Sequence, residues 1–177
     1  VVAFHTKTSD PLHKVTIIPH GGALGLTMQL PEEDKYCSTQ EEYEDRIKVL
    51  LGGYLAEKLY YGDKGSTTGV KNDLQRAKAI AAAMVKEFGM SELGPIYNAS
   101  GNDNVFLGRE MAMTRRGDIS EEVSSSIDRE IRGIIQACLG EAKGILTHNK
   151  EAMDNLVTQL MEHETLNASQ IDEVLSA

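Results

Sequence analysis

Apolar residues return at three- and four-residue steps through long stretches of this 177-residue chain, and that periodicity sets the fold class. Tyr43, Ile47, Leu50, Leu51, Tyr54, Leu55 and Leu59 trace one face of a helix of about six turns. Ser38 and Glu41 fit a capping box at its start, in which the hydroxyl takes an orphan amide and the carboxylate reaches back; Gly62 ends it. Gly52-Gly53 inside the pattern costs roughly 1 kcal/mol per glycine against alanine. Such a pair marks a kink or a close approach by a neighbour. A second helix is predicted from about Val70 to Phe88, with Leu74, Ala77, Ala81, Met84, Val85 and Phe88 as its stripe and Gly89 as its C-cap. The longest opens at Ser120 and carries Val123, Ile127, Ile131, Ile134, Ile135, Cys138, Leu139, Ala142, Ile145 and Leu146. Asn149 is read as the cap of the next, bearing Met153, Leu156, Val157, Leu160 and Met161. Asn167 with Gln170 opens a short last helix bearing Ile171, Val174 and Leu175.

The remaining segments are shorter. Val1-Val2-Ala3-Phe4 is apolar from its first residue and uncapped, which reads as the tail of a helix that starts upstream. Residues 14–19 are β-branched and read as a strand, His20-Gly21-Gly22 as a turn, and 23–30 as a second strand. Gly25 in that second strand hints at close backbone approach. Residues 64–69 make a small-residue loop, and residues 91–117, with Gly94-Pro95, Gly101, Gly108 and Gly117, an irregular or hairpin segment. No solenoid repeat or linker divides the chain. The expected fold is mostly α, one domain over residues 1–177, with a small β-hairpin or sheet near the N-terminus.

Composition removes several function classes. With 18 Lys+Arg against 27 Asp+Glu the net charge is −9, and nucleic acid is excluded as a main partner because phosphate binding needs a basic face. Tryptophan is absent and aromatics are 5%, too few for a base-stacking platform. No apolar run approaches the roughly 18 residues that span a bilayer, and no signal peptide is visible. Cys37 and Cys138 lie far apart without metal or redox spacing, which points to a reducing compartment.

Chemistry-bearing motifs are few. His5, His13, His20, His148 and His163 show no tight ligand spacing, so each reads as an ordinary surface or half-buried histidine. No phosphate-binding loop, dinucleotide fingerprint or nucleophile elbow is present. One segment stands out: Ser66-Thr67-Thr68-Gly69-Val70-Lys71-Asn72-Asp73 places a glycine-containing turn ahead of a helix, with Asp73 in its first turn. The bland reading is a carboxylate that favours the helix dipole, worth about 0.3–1 kcal/mol. The functional reading is a ligand held on a rigid helix start and aimed at a cation.

Several segments taken together resemble the FtsH family of membrane-anchored, ATP-dependent AAA+ zinc metalloproteases. They are Asp10-Pro11-Leu12-His13-Lys14-Val15-Thr16-Ile17-Ile18-Pro19, the turn Gly21-Gly22 and Ala23-Leu24-Gly25-Leu26-Thr27. Leu51-Gly52-Gly53-Tyr54-Leu55-Ala56-Glu57 is similar to that family's Gly-Gly-x-x-Ala-Glu helix, and the segment ending at Asn72-Asp73 to its Thr-Thr-Gly-x-x-Asn-Asp. Phe88-Gly89-Met90-Ser91, Phe106-Leu107-Gly108-Arg109, Ile127-Asp128 with Glu130, and Glu164-Thr165-Leu166 follow in order.

The resemblance implies a site. In the family, two histidines of a helical His-Glu-x-x-His hold Zn²⁺, the intervening Glu is general base, and the third ligand maps to Asp73. Thr67, Thr68, Gly69 and Asn72 would shape the loop that delivers it. The resemblance also implies that unfolded or membrane-extracted protein substrates add as a strand along Ala23, Leu24, Gly25, Leu26 and Thr27. The parent protein would use ATP and Mg²⁺ and assemble as a homo- or hetero-hexamer. It would sit on the cytoplasmic face of a bacterial inner membrane, or on the mitochondrial or chloroplast equivalent, through anchors outside this sequence. No His-Glu-x-x-His occurs in the 177 residues, so neither its two histidines nor a catalytic base is assigned here. The motif is expected immediately upstream of Val1, which makes the chain an N-terminally truncated peptidase domain, proteolytically silent alone. The alternative is a non-catalytic helical assembly module of a hexameric AAA+ complex, with the apolar faces of the last long helices turned to a neighbour. Glu57 is given no role, as a mid-helix carboxylate is usually a salt-bridge or cap partner.

Overall fold

Helix α2 (Gln40–Tyr61) begins one residue later than its cap sequence suggests. Thr39, not Ser38, is the N-cap: its hydroxyl accepts from the Glu42 amide at 3.3 Å, and the Glu42 carboxylate accepts from the Thr39 amide at 2.8 Å. Ser38-Thr39 and Glu41-Glu42 are both doubled, so two registers fit the same motif. The computed structural model describes residues 1–19, 21, 24–30, 37–95 and 121–176. Expectations that fall on His20, Gly22, Ala23, Phe106 to Arg109, Gly101, Gly108, Gly117 and Ser120 lie outside those residues.

Around α2 stand α1 (Val2–His5), a 3-10 turn (Thr68–Val70) running into α3 (Lys71–Lys86), and α4 (Glu121–His148). Ile47, Leu51 and Leu55 of α2 are buried against Ala77, Ala81, Met84 and Val85 of α3 and Ile127, Ile131, Cys138, Ala142 and Leu146 of α4. The 3.6-residue period thus finds the core on three helices, although Leu59 and Val123, expected on those faces, are exposed. The stripe of α3 stops sooner than expected: Phe88 lies beyond the helix end, and its ring stacks on Tyr43 at 5.3 Å between centroids. Gly89, at φ +64°, turns the chain so that the Met90 amide donates to the Met84 carbonyl at 2.8 Å.

A second core gathers Leu156 and Leu160 of α5 (Lys150–His163), Leu166 of β3 (Thr165–Asn167), and Ile171 and Leu175 of α6 (Ala168–Ser176). Asn149 was expected to cap α5, but its side chain makes no bond there. Its amide group donates back to the Ile145 carbonyl at 2.8 Å, closing the end of α4. Only this one residue separates the two helices, and it cannot serve both ends. Asn167 and Gln170 do exchange side chain-to-amide bonds of 3.0 Å each at the start of α6.

The β-element is a three-stranded antiparallel sheet in the order β2-β1-β3, built from β1 (Leu12–Thr16), β2 (Leu26–Gln29) and β3. The expected hairpin is therefore completed by a strand from the far end of the chain. Lys14, Val15 and Thr16 pair with Asn167, Leu166 and Thr165 on one side, and with Met28, Thr27 and Leu26 on the other. Strand β1 stops short of Ile17-Ile18 because the buried Thr16 hydroxyl ends the ladder. It accepts from the Ile18 amide at 3.2 Å and donates to the Glu164 carbonyl at 3.1 Å. Glu164 holds a left-handed conformation (φ 57°) between α5 and β3, and its carbonyl also accepts from the Ile17 amide at 3.0 Å. Among the described residues no helix is long and apolar enough to cross a membrane.

Asp45 of α2 is buried, and its carboxylate accepts from the Thr8 amide (3.0 Å), the Thr8 hydroxyl (2.7 Å) and Lys48 Nζ (3.0 Å). Lys48 also pairs with Glu141 of α4, so one network fastens the segment after α1 to two helices. Burial alone would raise the Asp45 pKa, but the bonds from Thr8 and Lys48 outweigh it and hold the carboxyl below its ordinary value. A depressed folded-state pKa contributes stability that is complete above the unfolded value of about 3.9 and is lost as pH falls through the folded value. Asp45→Asn is therefore expected to cost about 3 kcal/mol at neutral pH, as for breaking a buried pair. In urea titrations the gap to the parent protein should stay level down to about pH 5 and narrow below about pH 4. A gap of constant size through that range would contradict the assignment.

Two neighbouring glycines give a second test. A Cβ on Gly52 would lie 3.2 Å from Val2 Cγ2, whereas one on Gly53 would meet only Val70 Cγ1 at 3.9 Å. Gly53→Ala should stabilise the protein by about 0.5–1 kcal/mol through helix propensity. Gly52→Ala should lose that gain by pushing on Val2. Equal stabilisation by both, measured by thermal or urea unfolding, would mean that α1 is not seated on Gly52.

Candidate metal centre

Gly53 and Glu57 stand four residues apart on α2 and so share a face of that helix. The loop that follows α2 runs along this face. Val70 approaches at Gly53, where a Cβ would be in ordinary contact with its side chain. At the other end the Glu57 carboxylate accepts twice from Thr67, at 2.7 Å from the amide and 2.8 Å from the hydroxyl. The Thr67 hydroxyl in turn accepts from the Gly69 amide at 3.2 Å, which caps the 3-10 turn Thr68–Val70. Helix α3 continues directly from that turn, with no side-chain cap of its own at Val70. Asp73, its third residue, is therefore placed by a rigid path that starts at Glu57.

Asp73 is half-buried in the first turn of α3. Among the described residues its carboxylate makes no hydrogen bond or ion pair, unlike Asp45 and Asp154, which are both engaged. It does occupy the position that favours the helix dipole. Of the other residues expected to shape this loop, Thr67 and Gly69 bond as described, while Thr68 and Asn72 lie exposed beside them.

The donor chemistry allows a direct comparison with what a divalent zinc requires. A catalytic site needs three protein ligands, drawn from histidine nitrogens, thiolates and carboxylate oxygens, with one position left open. Asp73 supplies one oxygen of the right type. His5, His13, His148 and His163 are all exposed, and no group of three His, Cys, Asp or Glu among the described residues could hold an ion. Cys138 is buried, and burial foremost pushes its thiol up to about 11; it belongs to no such group. The described residues thus fit one ligand of a zinc shell and not the whole set.

One further feature bears on the missing ligands. Gly52 seats Val2 of α1, and the adjacent Gly53 seats Val70. The N-terminal helix and the turn that leads to Asp73 therefore rest on neighbouring flanks of α2. The glycine pair is visible in the sequence, but not that it joins these two segments, and local pattern gives Glu57 no role. The four-residue spacing of Gly53 and Glu57 was the available signal: a gap of backbone size next to a carboxylate on one helix face.

The segment expected to take substrate lies at and just before β2. Leu26 and Thr27 belong to that strand, which is one of the two outer strands of the described sheet; Leu24 precedes it and is 86% exposed, and Ala23 lies outside the described residues. A Cβ on Gly25 would sit 2.9 Å from the Thr16 carbonyl oxygen. The close approach that Gly25 allows is thus one by β1.

Comparison with known proteins bears on the same residues. The family model described as peptidase family M41 matches residues 1–174. The ATP-dependent zinc metalloprotease FtsH 4 of Sorangium cellulosum is 45% identical over 170 residues, covering 96% of this chain and 26% of that protein. The ATP-dependent zinc metalloprotease FtsH of Acidobacterium capsulatum is 42% identical over 175 residues, covering 99% and 27%. That of Marinobacter nauticus is 44% identical over 176 residues, again covering 99% and 27%. The chain spans about a quarter of the length of the curated relatives it matches. A match over all but the last three residues, in agreement with the motifs read from the sequence, means that the chain belongs to peptidase family M41.

Proposed function

We propose that this chain forms the peptidase part of a zinc endopeptidase and that Asp73 is its carboxylate ligand. One observation carries the reading: a half-buried carboxylate without a protein partner among the described residues, fixed at the start of a helix whose entry turn is docked on α2. A free carboxylate in a partly desolvated position is disfavoured unless a cation or donor meets it. The two histidine ligands and the general base are then supplied by a His-Glu-x-x-His outside these 177 residues. Bound zinc would supply Lewis-acid polarisation of the scissile carbonyl and a water of lowered pKa. The part of the chain itself is to hold the third coordination point still and to present substrate beside it.

For substrate, β2 offers an outer edge. An extended polypeptide adding there would gain main-chain hydrogen bonds with little demand on side-chain identity. That suits unfolded or membrane-extracted proteins delivered by an ATP-driven AAA+ module in the longer polypeptide, and hexameric assembly at a membrane belongs to the same reading. The long apolar faces do not favour the purely architectural alternative. Ile127, Ile131, Leu146, Met153, Leu156 and Leu160 are buried within the chain, and of these stripes Val123, Val157 and Met161 remain exposed.

In the longest natural polypeptide that contains this chain, Asp73→Ala is expected to abolish stoichiometric zinc binding and hydrolysis of casein while circular dichroism stays unchanged. Full activity in that variant would remove the ligand assignment. Leu24→Asp with Leu26→Asp should instead raise KM for an unfolded substrate several-fold and leave zinc content intact, since those side chains line the edge and not the metal. Zinc loss, or an unchanged KM, would separate β2 from substrate binding.

A further inference from the structure

We propose that the groove between the C-terminal halves of α2 and α4 is a binding site for an apolar carboxylate, a single hydrocarbon chain that ends in an anionic group. Earlier along their length the two helices meet directly. Ile47 and Leu51 of α2 share one core with Cys138 and Ala142 of α4, and Lys48 pairs with Glu141. Toward their C-terminal ends they leave a groove of about 300 Å³. Leu55 and Leu59 line it from α2, and Leu139 and Leu146 from α4. Leu55 and Leu146 are buried at its floor, whereas Leu59 is exposed. Packed helices normally close such room with interdigitating side chains. A concave, mostly apolar space with a few convergent polar groups is the ordinary form of a small-molecule site.

Here the polar groups are two ammonium ions, Lys58 from the α2 wall and Lys143 from the α4 wall. The chain as a whole is acidic, with 27 Asp+Glu against 18 Lys+Arg, and lysines elsewhere find close carboxylates. Lys48 lies 3.0 Å from Asp45, and Lys150 lies 2.8 Å from Asp154. Lys143 has no carboxylate partner among the described residues. Lys58 has one only at 3.9 Å, the 98% exposed Asp63. Its ammonium stands over the Tyr54 ring, 5.1 Å from the centroid, and Tyr54 is itself part of the groove wall. Lys58 also complements the dipole at the end of α2. That role accounts for one lysine and leaves Lys143 and the apolar space unused. Size decides the kind of occupant. One turn of helix, about 10 Å across and about 5.4 Å long, needs more room than this. A methylene group takes about the liquid share of one water, roughly 30 Å³, so a chain of about ten carbons fills the groove. Its carboxylate then lies between the two ammonium groups and its tail along the four leucines, as in a medium-chain fatty acid.

The test is site-mapped photolabelling of the longest natural polypeptide that contains this chain. The probe is a diazirine-bearing decanoate used below its micelle concentration, with labelled peptides identified by mass spectrometry. Labelling is expected within residues 54–63 and 139–147, and plain decanoate should compete for it. Lys58→Ala combined with Lys143→Ala should weaken that competition by about 3–10-fold, as for the loss of two solvent-accessible ion pairs. Neither lysine is buried, so the double variant keeps the fold. Decanol, which has the chain without the charge, should compete less well than decanoate by a similar factor. Leu139→Trp should block labelling by filling the groove; should it not fold, the lysine variant carries the comparison. Equal competition by decanol and decanoate, or unchanged competition in the double lysine variant, would overturn the proposal. So would labelling confined to other peptides. A groove that stays unlabelled while an amine reagent fails to reach Lys143 would mean that a protein segment or a second copy of the chain covers it, and would overturn the proposal as well.

Discussion

The geometry of this chain hangs on one helix with a gap in it. At Gly52 and Gly53, α2 presents bare backbone on two adjoining flanks, and two segments from different parts of the chain lie against it. Ridges of side chains normally keep helix axes about 8–10 Å apart, and a surface without them lets a neighbour in closer. The cost is about 1 kcal/mol of helix propensity for each glycine. It is offset by the burial of Val2 on one flank, and such a side chain is worth roughly 1.5–3 kcal/mol when fully removed from water. The trade makes sense only if proximity matters more than helix strength at that point. It is the place where the N-terminal helix and the approach to Asp73 come nearest to a common support.

How the sequence discloses this differs from element to element. The helices were legible because their apolar period is long and regular, and burial at Ile47, Leu51, Leu55, Ala77, Ala81, Ile127, Ile131 and Leu146 follows it. Ends were less legible, for identifiable reasons. Doubled cap residues before α2 leave the register open by one. Asn149 has the right chemistry for an N-cap, yet it stands one residue after a helix whose last carbonyls also need a donor. Strand β3 has three residues and no alternation to read, and only the pairing of Leu166 opposite Val15 reveals it. Strand β1 was read too far because Ile17-Ile18 has strand composition; the hydrogen bond that stops it belongs to the neighbouring threonine.

Of the candidate site, Asp73 stands out in the sequence by residue type and position alone, and what places it in the fold does not. Glu57 and Thr67 are ten residues apart in sequence, separated by a helix end and a turn at Gly62. Their pairing depends on where the loop closes back, which local pattern does not encode. The glycine pair shows the same limit: its presence signals a close neighbour, but its two neighbours, Val2 and Val70, lie about fifty residues upstream and under twenty downstream.

The two hydrophobic cores hold these supports in place. Val2 of α1 belongs to the first core, while Val1 and Phe4 pack against the second, so a helix of four residues is gripped from both sides. The segment that leaves it is then tied by Thr8 to Asp45, about two turns before Gly52 on the same α2. From there the chain enters β1, the central strand, which is held by β2 on one side and by the C-terminal β3 on the other. Every route from α1 therefore returns to α2 or to the second core within a few residues. A short helix has little stability of its own, and its orientation is set by these attachments. A ligand at Asp73, as proposed, would need to be held to a fraction of an ångström, and the supports available are those of α2, which takes α1 through Gly52 and Asp45, and takes the entry to α3 through Gly53 and Glu57.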